Sequence, residues 1–336
     1  MQAGTPGASL VPPQPEGRGI PRESLVTVLE DLAPPPKVEI KPREISRREL
    51  WQRRLPLLPA LVYTIVVTQI PFLVTLWYSF QNYFWNTPAP AHFTGLSNYK
   101  TVFTSPAFRG ALVRSVVMTV TAVIVAMILG VFFAVLLDRK FFGRSIVRTL
   151  MITPFLVMPA AAALVWAGPM LDPNFGLVNW LLQPFGVHHV AWLSTHALGS
   201  VILVMIWQWT PFMMLIVLAG LQSQPPETLE AAKVDGAGAF ATFRELTFPH
   251  LRPYIELGVL LGSIYLVNVF DAVRLMTNGG PGTATTNLPF YLYQEVNNAF
   301  DIGGAAAAGV VTVILTIIVA TFALRMFARV FQFEEA

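Results

Sequence analysis

The chain of 336 residues contains no cysteine. That excludes disulfides, thiol catalysis and cysteine metal sites, and leaves the compartment open. Charge is almost as scarce: 12% of the residues are Asp, Glu, Lys or Arg and 54% are hydrophobic, where a soluble domain carries roughly a quarter charged residues. No G-x-x-x-x-G-K-[ST] occurs, so ATP hydrolysis by the P-loop route is excluded. No basic stripe interleaves with aromatics, which argues against a nucleic-acid partner. No Ser/His/Asp arrangement is legible, and His188, His189 and His196 are read as loop residues rather than metal ligands.

Long apolar runs are what the chain has instead. A membrane span needs about 20 apolar residues, and six stretches qualify: Leu57–Phe80, Ala111–Leu137, Thr149–Met170, Ala197–Leu221, Tyr254–Met276 and Ala305–Phe327. Each must be helical, because an open backbone in lipid leaves its polar groups unpaired. The first run starts more than 50 residues in, and it is too long for the core of a cleaved signal peptide. The expected fold class is an all-α membrane protein with six transmembrane helices.

Positive charge orients them. With the N-terminus inside, nine Lys/Arg precede the first span, four lie in the second loop, three in the fourth and two in the tail, eighteen altogether. The outer loops hold Lys100 and Arg109, and Arg114 and Arg274 sit at outer helix ends. Both termini are therefore expected in the cytoplasm. Residues 1–42, with PPQPEGRGIP and APPPK, cannot build a packed core and read as a disordered or extended cytoplasmic segment. Residues 43–56 include REISRRELWQRR and read as a basic interfacial helix able to reach anionic headgroups, or as a plain topology determinant. The six-span domain covers 57–330. Pro56, Pro59, Pro71, Pro154, Pro159 and Pro211 predict bent helices around a cavity. GGAAAAG, Gly303 to Gly309, lets backbones approach closely, as packing or as a gate. NWLL in the third loop reads as a short helix. In TNGGPGTATTN, Gly279, Gly280 and Gly282 permit positive φ and Pro281 stiffens the turn.

One segment interrupts the apolar pattern: EAAKVDGAGAFATFRELTFPHLRP, Glu230 to Pro253. Pro225 and Pro226 suit a helix start. Glu227 and Glu230 complement the positive end of the helix, Lys233 lies towards its C-terminus and Gly236 stops it. A helix over 226–236 is too short to be stable alone and needs a docking surface, for which Ala231 and Ala232 offer a small face. A second helix, FATFRELTF, is expected to end before Pro249 and Pro253.

Glu230-Ala231-Ala232, Asp235-Gly236-Ala237, Phe243, Pro249 and Pro253 resemble the EAA signature of ABC-importer permeases, with Leu246 and Phe248 in place of the more usual Ile and Leu. The resemblance implies that 226–236 is the coupling helix, seated in a cleft of an ATPase subunit through Glu230, Ala231, Ala232, Asp235, Gly236 and Ala237. It extends over most of residues 50–330. RRLPLLPAL, SFQNYFW, LLDRKFFGRSIVRTLMITPFLVMPAAAALVW, WQWTPF and TNGGPGTATTN resemble the sugar and polyol branch, and within it mannitol/sorbitol-type permeases. The implied partners are a second permease, two ATPase subunits that bind the ATP and magnesium, an extracytoplasmic binding protein and a sugar or polyol. The implied place is the bacterial inner membrane, and the chain itself would hold no cofactor.

Sugars are held by aromatic faces and hydrogen-bonding side chains. Trp207, Gln208, Trp209 and Phe212 on the fourth run and Tyr265, Asn268 and Val269 on the fifth are the candidates. Gln208 and Phe212 share a helix face by spacing, as do Tyr265 and Asn268. By resemblance, Gln208, Trp209, Phe212, Tyr265 and Val269 match positions lining the sugar site of maltose-type permeases. Packing is the competing role for these aromatics. The alternative energy source is an ion gradient, which would use an acid within a span. Glu256 and Asp271 are the acids there, and Asp271 has Arg274 three residues on as an expected partner.

Overall fold

A computed structural model describes residues 55–187 and 189–332. The expected extension over 1–42, the basic segment up to residue 54 and His188 lie outside the described residues. The chain divides into two compact units, Met1–Tyr63 and Thr64–Ala336. Of the first, a 3-10 turn at Leu55–Leu57 and the opening of helix α1, Leu58–Ser79, are described. All that follows concerns the second.

Leaving α1, the chain makes a small antiparallel hairpin, β1 Gln81–Asn82 and β2 His92–Phe93, with Gln81 opposite Phe93. Short helix α2, Ser97–Thr104, leads into α3, Pro106–Asp138. Ser105 accepts from the Phe108 amide and Pro106 opens the helix, so the start combines a capping oxygen with a residue that has no amide to leave unpaired. Helices α4, Arg144–Leu156, and α5, Pro159–Val165, follow, the latter running into a π turn at Trp166–Met170. Short helices α6, Leu177–Leu182, and α7, Trp192–Thr195, precede α8, Ala197–Ser223. Helix α9 is Pro226–Val234 and α10 is Ala239–Thr242. Helix α11 is Phe248–Leu266, α12 is Leu288–Asn297 and α13 is Ile302–Gln332.

The architecture is helical as expected, but the six runs are not six continuous helices. Among the described residues four helices are long and apolar enough to cross a membrane: Leu55–Ser79, Pro106–Asp138, Ala197–Ser223 and Ile302–Phe322. The third run is a pair, Arg144–Leu156 and Pro159–Met170, bent by 97°. Its cause is Pro159, which forces Met158 out of the helical region, to φ −54°, ψ 130°. Pro71, Pro154 and Pro211 lie inside helices without breaking them. The fifth run is interrupted after Leu266. There the Asn268 side chain donates to Ile264 O at 2.8 Å, taking the carbonyl that its own backbone amide would use in a helix, and that amide turns to Tyr265 O.

A second expectation is corrected on the other side of α11. The FATFRELTF helix does not end before Pro249. It passes through a π turn at Phe243–Thr247 and continues as α11 beyond Pro249 and Pro253. The wider turn just ahead of Pro249 relieves the clash its ring would make with the preceding turn.

Lipid offers helices little hydrophobic reason to associate, so close approach and hydrogen bonds do the work. Helices α3 and α8 meet where Gly130 lies against Met213, 2.7 Å from the place of an added Cβ. Gly258 and Gly262 of α11 admit Met127 and Met213 side chains in the same way, the flexible thioethers filling the gaps. A second cluster joins Val102, Phe108, Leu288, Tyr291, Ala307 and Ala308. Burial, and then the hydrogen bond with Glu295, pushes the Tyr291 phenol above its ordinary range. Within GGAAAAG, Gly303 packs on the Gln81 carbonyl and Ala307 and Ala308 are fully buried, while Gly309 meets nothing. Elsewhere apolar side chains such as Ile70, Ile128, Ile317 and Phe322 are bare, a surface suited to lipid or to another membrane chain.

Candidate functional site

The two interrupted runs face one another across a cavity of about 240 Å³. Gln208 and Trp209 line it from α8, Pro159 from the bend, and Tyr265, Asn268, Val269 and Asp271 from the end of α11 and its break. Five of the six residues picked for a substrate path are thus brought together. The sixth, Phe212, stands behind: it stacks on Phe155 at 5.2 Å and meets Trp209 edge-on at 5.5 Å. Trp209 itself stacks on Tyr265, centroids 5.4 Å apart and planes 29° apart. Trp207 points elsewhere, edge-on to Trp166 and into a separate apolar groove with Pro154 and Pro211.

Gln208 is 9% exposed and its Nε2 donates to Val157 O at 3.0 Å. That carbonyl lies at the bend, so the side chain replaces a donor the broken helix lacks. The second break is tied in kind. Asn287, 2% exposed, donates from Nδ2 to Val269 O at 2.5 Å. Sequence reasoning placed Gln208 near substrate without its structural bond and missed Asn287 altogether. The signal for Asn287 was the Asn-Leu-Pro string, a capping residue followed by an early-turn proline, which opens α12. The glycine loop before it differs in detail from expectation: Gly279 and Gly282 take positive φ with Asn278, whereas Gly280 does not and precedes a cis proline.

The charged candidates separate. Arg274 donates to Asn278 Oδ1 at 2.6 Å and lies over the Tyr293 ring. The expected pairing with Asp271 is absent among the described residues. Glu256 pairs with Arg252 at 3.0 Å. His189 Nδ1 lies 3.1 Å from Pro173 O, and His196 Nδ1 lies 2.8 Å from Thr195 Oγ1.

Helix α9 presents a different surface. Pro225 and Pro226 start it, and a Schellman cap ends it: Gly236 N bonds Lys233 O at 3.1 Å and Ala237 N bonds Ala232 O at 2.9 Å, with Gly236 at φ +82°. Glu230, Ala231, Asp235 and Gly236 are exposed and Ala237 is half-buried. Ala232 is buried in its own chain, so the two alanines do not form the single small face anticipated. Val234 is 87% exposed and Phe240 78%, apolar neighbours that sequence reasoning did not single out. The stems on either side are held together. Gly220 lies against the Tyr254 ring, and Ser223 Oγ is 2.8 Å from Tyr254 OH and 3.1 Å from His250 Nε2.

Interrupted apolar helices around an aromatic cavity, with a short polar helix exposed beyond them, define a membrane transport subunit. The family described as binding-protein-dependent transport system inner membrane component matches residues 117–332, and the chain belongs to it. The chain is 39% identical over 264 residues to a probable ABC transporter permease protein, y4oQ, of Sinorhizobium fredii, covering 77% of this chain and 84% of that one. To the trehalose/maltose transport system permease protein MalF of Thermococcus litoralis it is 33% identical over 276 residues, covering 82% and 92%. Among solved structures, a bacterial ABC transporter involved in import of the acidic polysaccharide alginate superposes with a TM-score of 0.71 at 21% identity, over 84% of this chain and 97% of that chain. Family membership makes the protein a permease subunit of a binding-protein-dependent ABC importer, a transport component rather than an enzyme, and it sets aside the ion-driven alternative.

Proposed function

We propose that this permease carries a sugar or sugar alcohol through the cavity between the two broken helices. The observation that carries the reading is the stacked Trp209–Tyr265 pair beside the amides of Gln208 and Asn268 on one cavity wall. Aromatic faces bind the C–H faces of a hydroxylated ring or chain, and amides both give and accept hydrogen bonds. A relative named for trehalose and maltose supports the sugar class; the mannitol/sorbitol branch is the finer reading of the sequence resemblance. Gln208 has its Nε2 committed to Val157, leaving Oε1 as its free acceptor for a hydroxyl.

Around this path we place a second permease subunit, two ATPase subunits that bind the ATP and magnesium, and an extracytoplasmic binding protein that delivers the solute. Both termini lie in the cytoplasm, as the distribution of Lys and Arg favours. There α9 is the coupling helix: Glu230 offers charge to a basic residue of the ATPase, and exposed Val234 and Phe240 add apolar area to the contact. Closure of the ATPases on ATP would displace α9, and its clamped stems would pass the motion to α8 and α11.

Competitive uptake in cells containing the whole transporter tests the substrate class. Radiolabelled trehalose, maltose, mannitol and sorbitol are offered in turn, with amino acids as the contrasting panel. At least one of the four should be taken up, and Trp209→Ala should reduce its uptake by roughly tenfold, about the factor for one lost aromatic contact. Inhibition by amino acids alone, with all four sugars and polyols ignored, would remove the carbohydrate reading.

A further inference from the structure

The two breaks at the cavity are tied from different places. Gln208 belongs to the cavity lining, whereas Asn287 reaches Val269 from the far side, out of a loop buried on all sides. Thr285, Thr286 and Asn287 are 0%, 3% and 2% exposed. The loop is anchored to α3 twice: Arg114 Nε donates to Thr286 O at 2.8 Å, and Leu288 N donates to Ser115 Oγ at 2.7 Å. The Asn287 Oδ1 accepts from Phe290 N at 3.1 Å and caps α12, while its Nδ2 holds Val269 O. A cap needs only the oxygen. The second bond, to a carbonyl in the cavity wall, is not part of capping.

We propose that Asn287 is a positioning residue for transport. Its Nδ2 fixes the Val269 carbonyl, and with it the direction in which Asn268 and Val269 face the cavity. A segment without helical bonds has no other internal means of holding its register, and a buried carbonyl that loses its donor turns to find another. The inference rests on the cavity being the substrate path.

Asn287→Asp separates the two bonds, since it keeps the capping oxygen and nearly the volume but removes the donor. Asn287→Ser does the same with a neutral hydroxyl and excludes added charge as the cause. The absence of cysteine allows single thiols to report locally. In the complete transporter in proteoliposomes, Asn268→Cys is labelled with a small, charged methanethiosulfonate reagent, with Phe175→Cys, at an exposed loop position, as the control. Both Asn287 variants should change labelling at 268 by at least about threefold and leave 175 unaltered. They should also lower the maximal rate of ATP hydrolysis stimulated by the cognate binding protein roughly tenfold, the factor carried by one buried hydrogen bond, without changing the half-saturating concentration. If 268 labels equally in all backgrounds, the positioning role is wrong and the cavity stands. If 268 never labels, the cavity reading fails and the proposal with it. Equal changes at 268 and 175 would reduce Asn287 to a structural cap and overturn the proposal.

Discussion

At the cavity the backbone is broken twice, at Val157–Met158 and after Leu266, and each break is tied by a buried amide from another element. At the α9 end the backbone runs helical through a π turn and two prolines, and its functional side chains stand exposed. The cavity's geometry is therefore held by side chains acting across the fold. That of the coupling surface is held by local backbone devices: a proline start, a Schellman cap and clamped stems. Substitutions at the cavity should disturb structure and transport together, whereas those at α9 should disturb transport while leaving the fold as it was.

The largest expected effect tests the second half of that contrast. Glu230→Lys reverses an exposed charge and touches nothing that holds the chain together. Uptake in whole cells should fall by roughly a hundredfold, as when a charge in an interface meets its like. ATP hydrolysis by the purified complex should continue but respond only weakly to the binding protein, with the melting temperature unmoved. Normal uptake by this variant would remove α9 from the coupling path.

Gln208→Leu tests the first half. It leaves the Val157 carbonyl without its donor in a water-poor site, which costs about 1–3 kcal/mol, so the melting temperature of the purified complex should drop along with uptake. Gln208→Glu should be nearly as harmful, because a carboxylate cannot donate to a carbonyl. If Leu lowers uptake and the melting temperature holds, Gln208 acts on substrate alone and the contrast between the two regions weakens.

The two regions were also unequally legible in the sequence. The α9 surface could be read because its devices are local: Pro225-Pro226, Glu227, Lys233 and Gly236 all lie within 12 residues of one another. The cavity depends on pairs far apart in the chain. Gln208 with Val157, and Asn287 with Val269, are 51 and 18 residues apart, and no periodicity marks such partners. Hydropathy located the runs, but an apolar run looks the same whether it forms one helix or two. Pro159 was noted as a source of bending, but only the geometry separates it from Pro154 and Pro211: it begins a helix, and they lie within one. The interruption at Asn268 had a polar residue in an apolar run as its sign, and that residue was read for substrate rather than for the backbone.

The smallest effect concerns Gly236 and isolates backbone conformation from packing. Its φ of +82° is that of the left-handed cap, and an added Cβ would meet nothing within 4 Å. Gly236→Ala therefore introduces strain without a clash, about 1–2 kcal/mol for an L-residue held there, while Gly236→Asn should cost less, since asparagine tolerates that region. The strain falls on the bonds that close the cap, from Gly236 N to Lys233 O and Ala237 N to Ala232 O. Hydrogen exchange of those two amides should quicken roughly tenfold in the alanine variant and less in the asparagine one, with exchange in α8 unchanged. If alanine and glycine exchange alike, the cap is already open in the free complex. The end of α9 would then be ordered by its partner rather than by its own backbone, and the local origin assigned to this surface would be wrong.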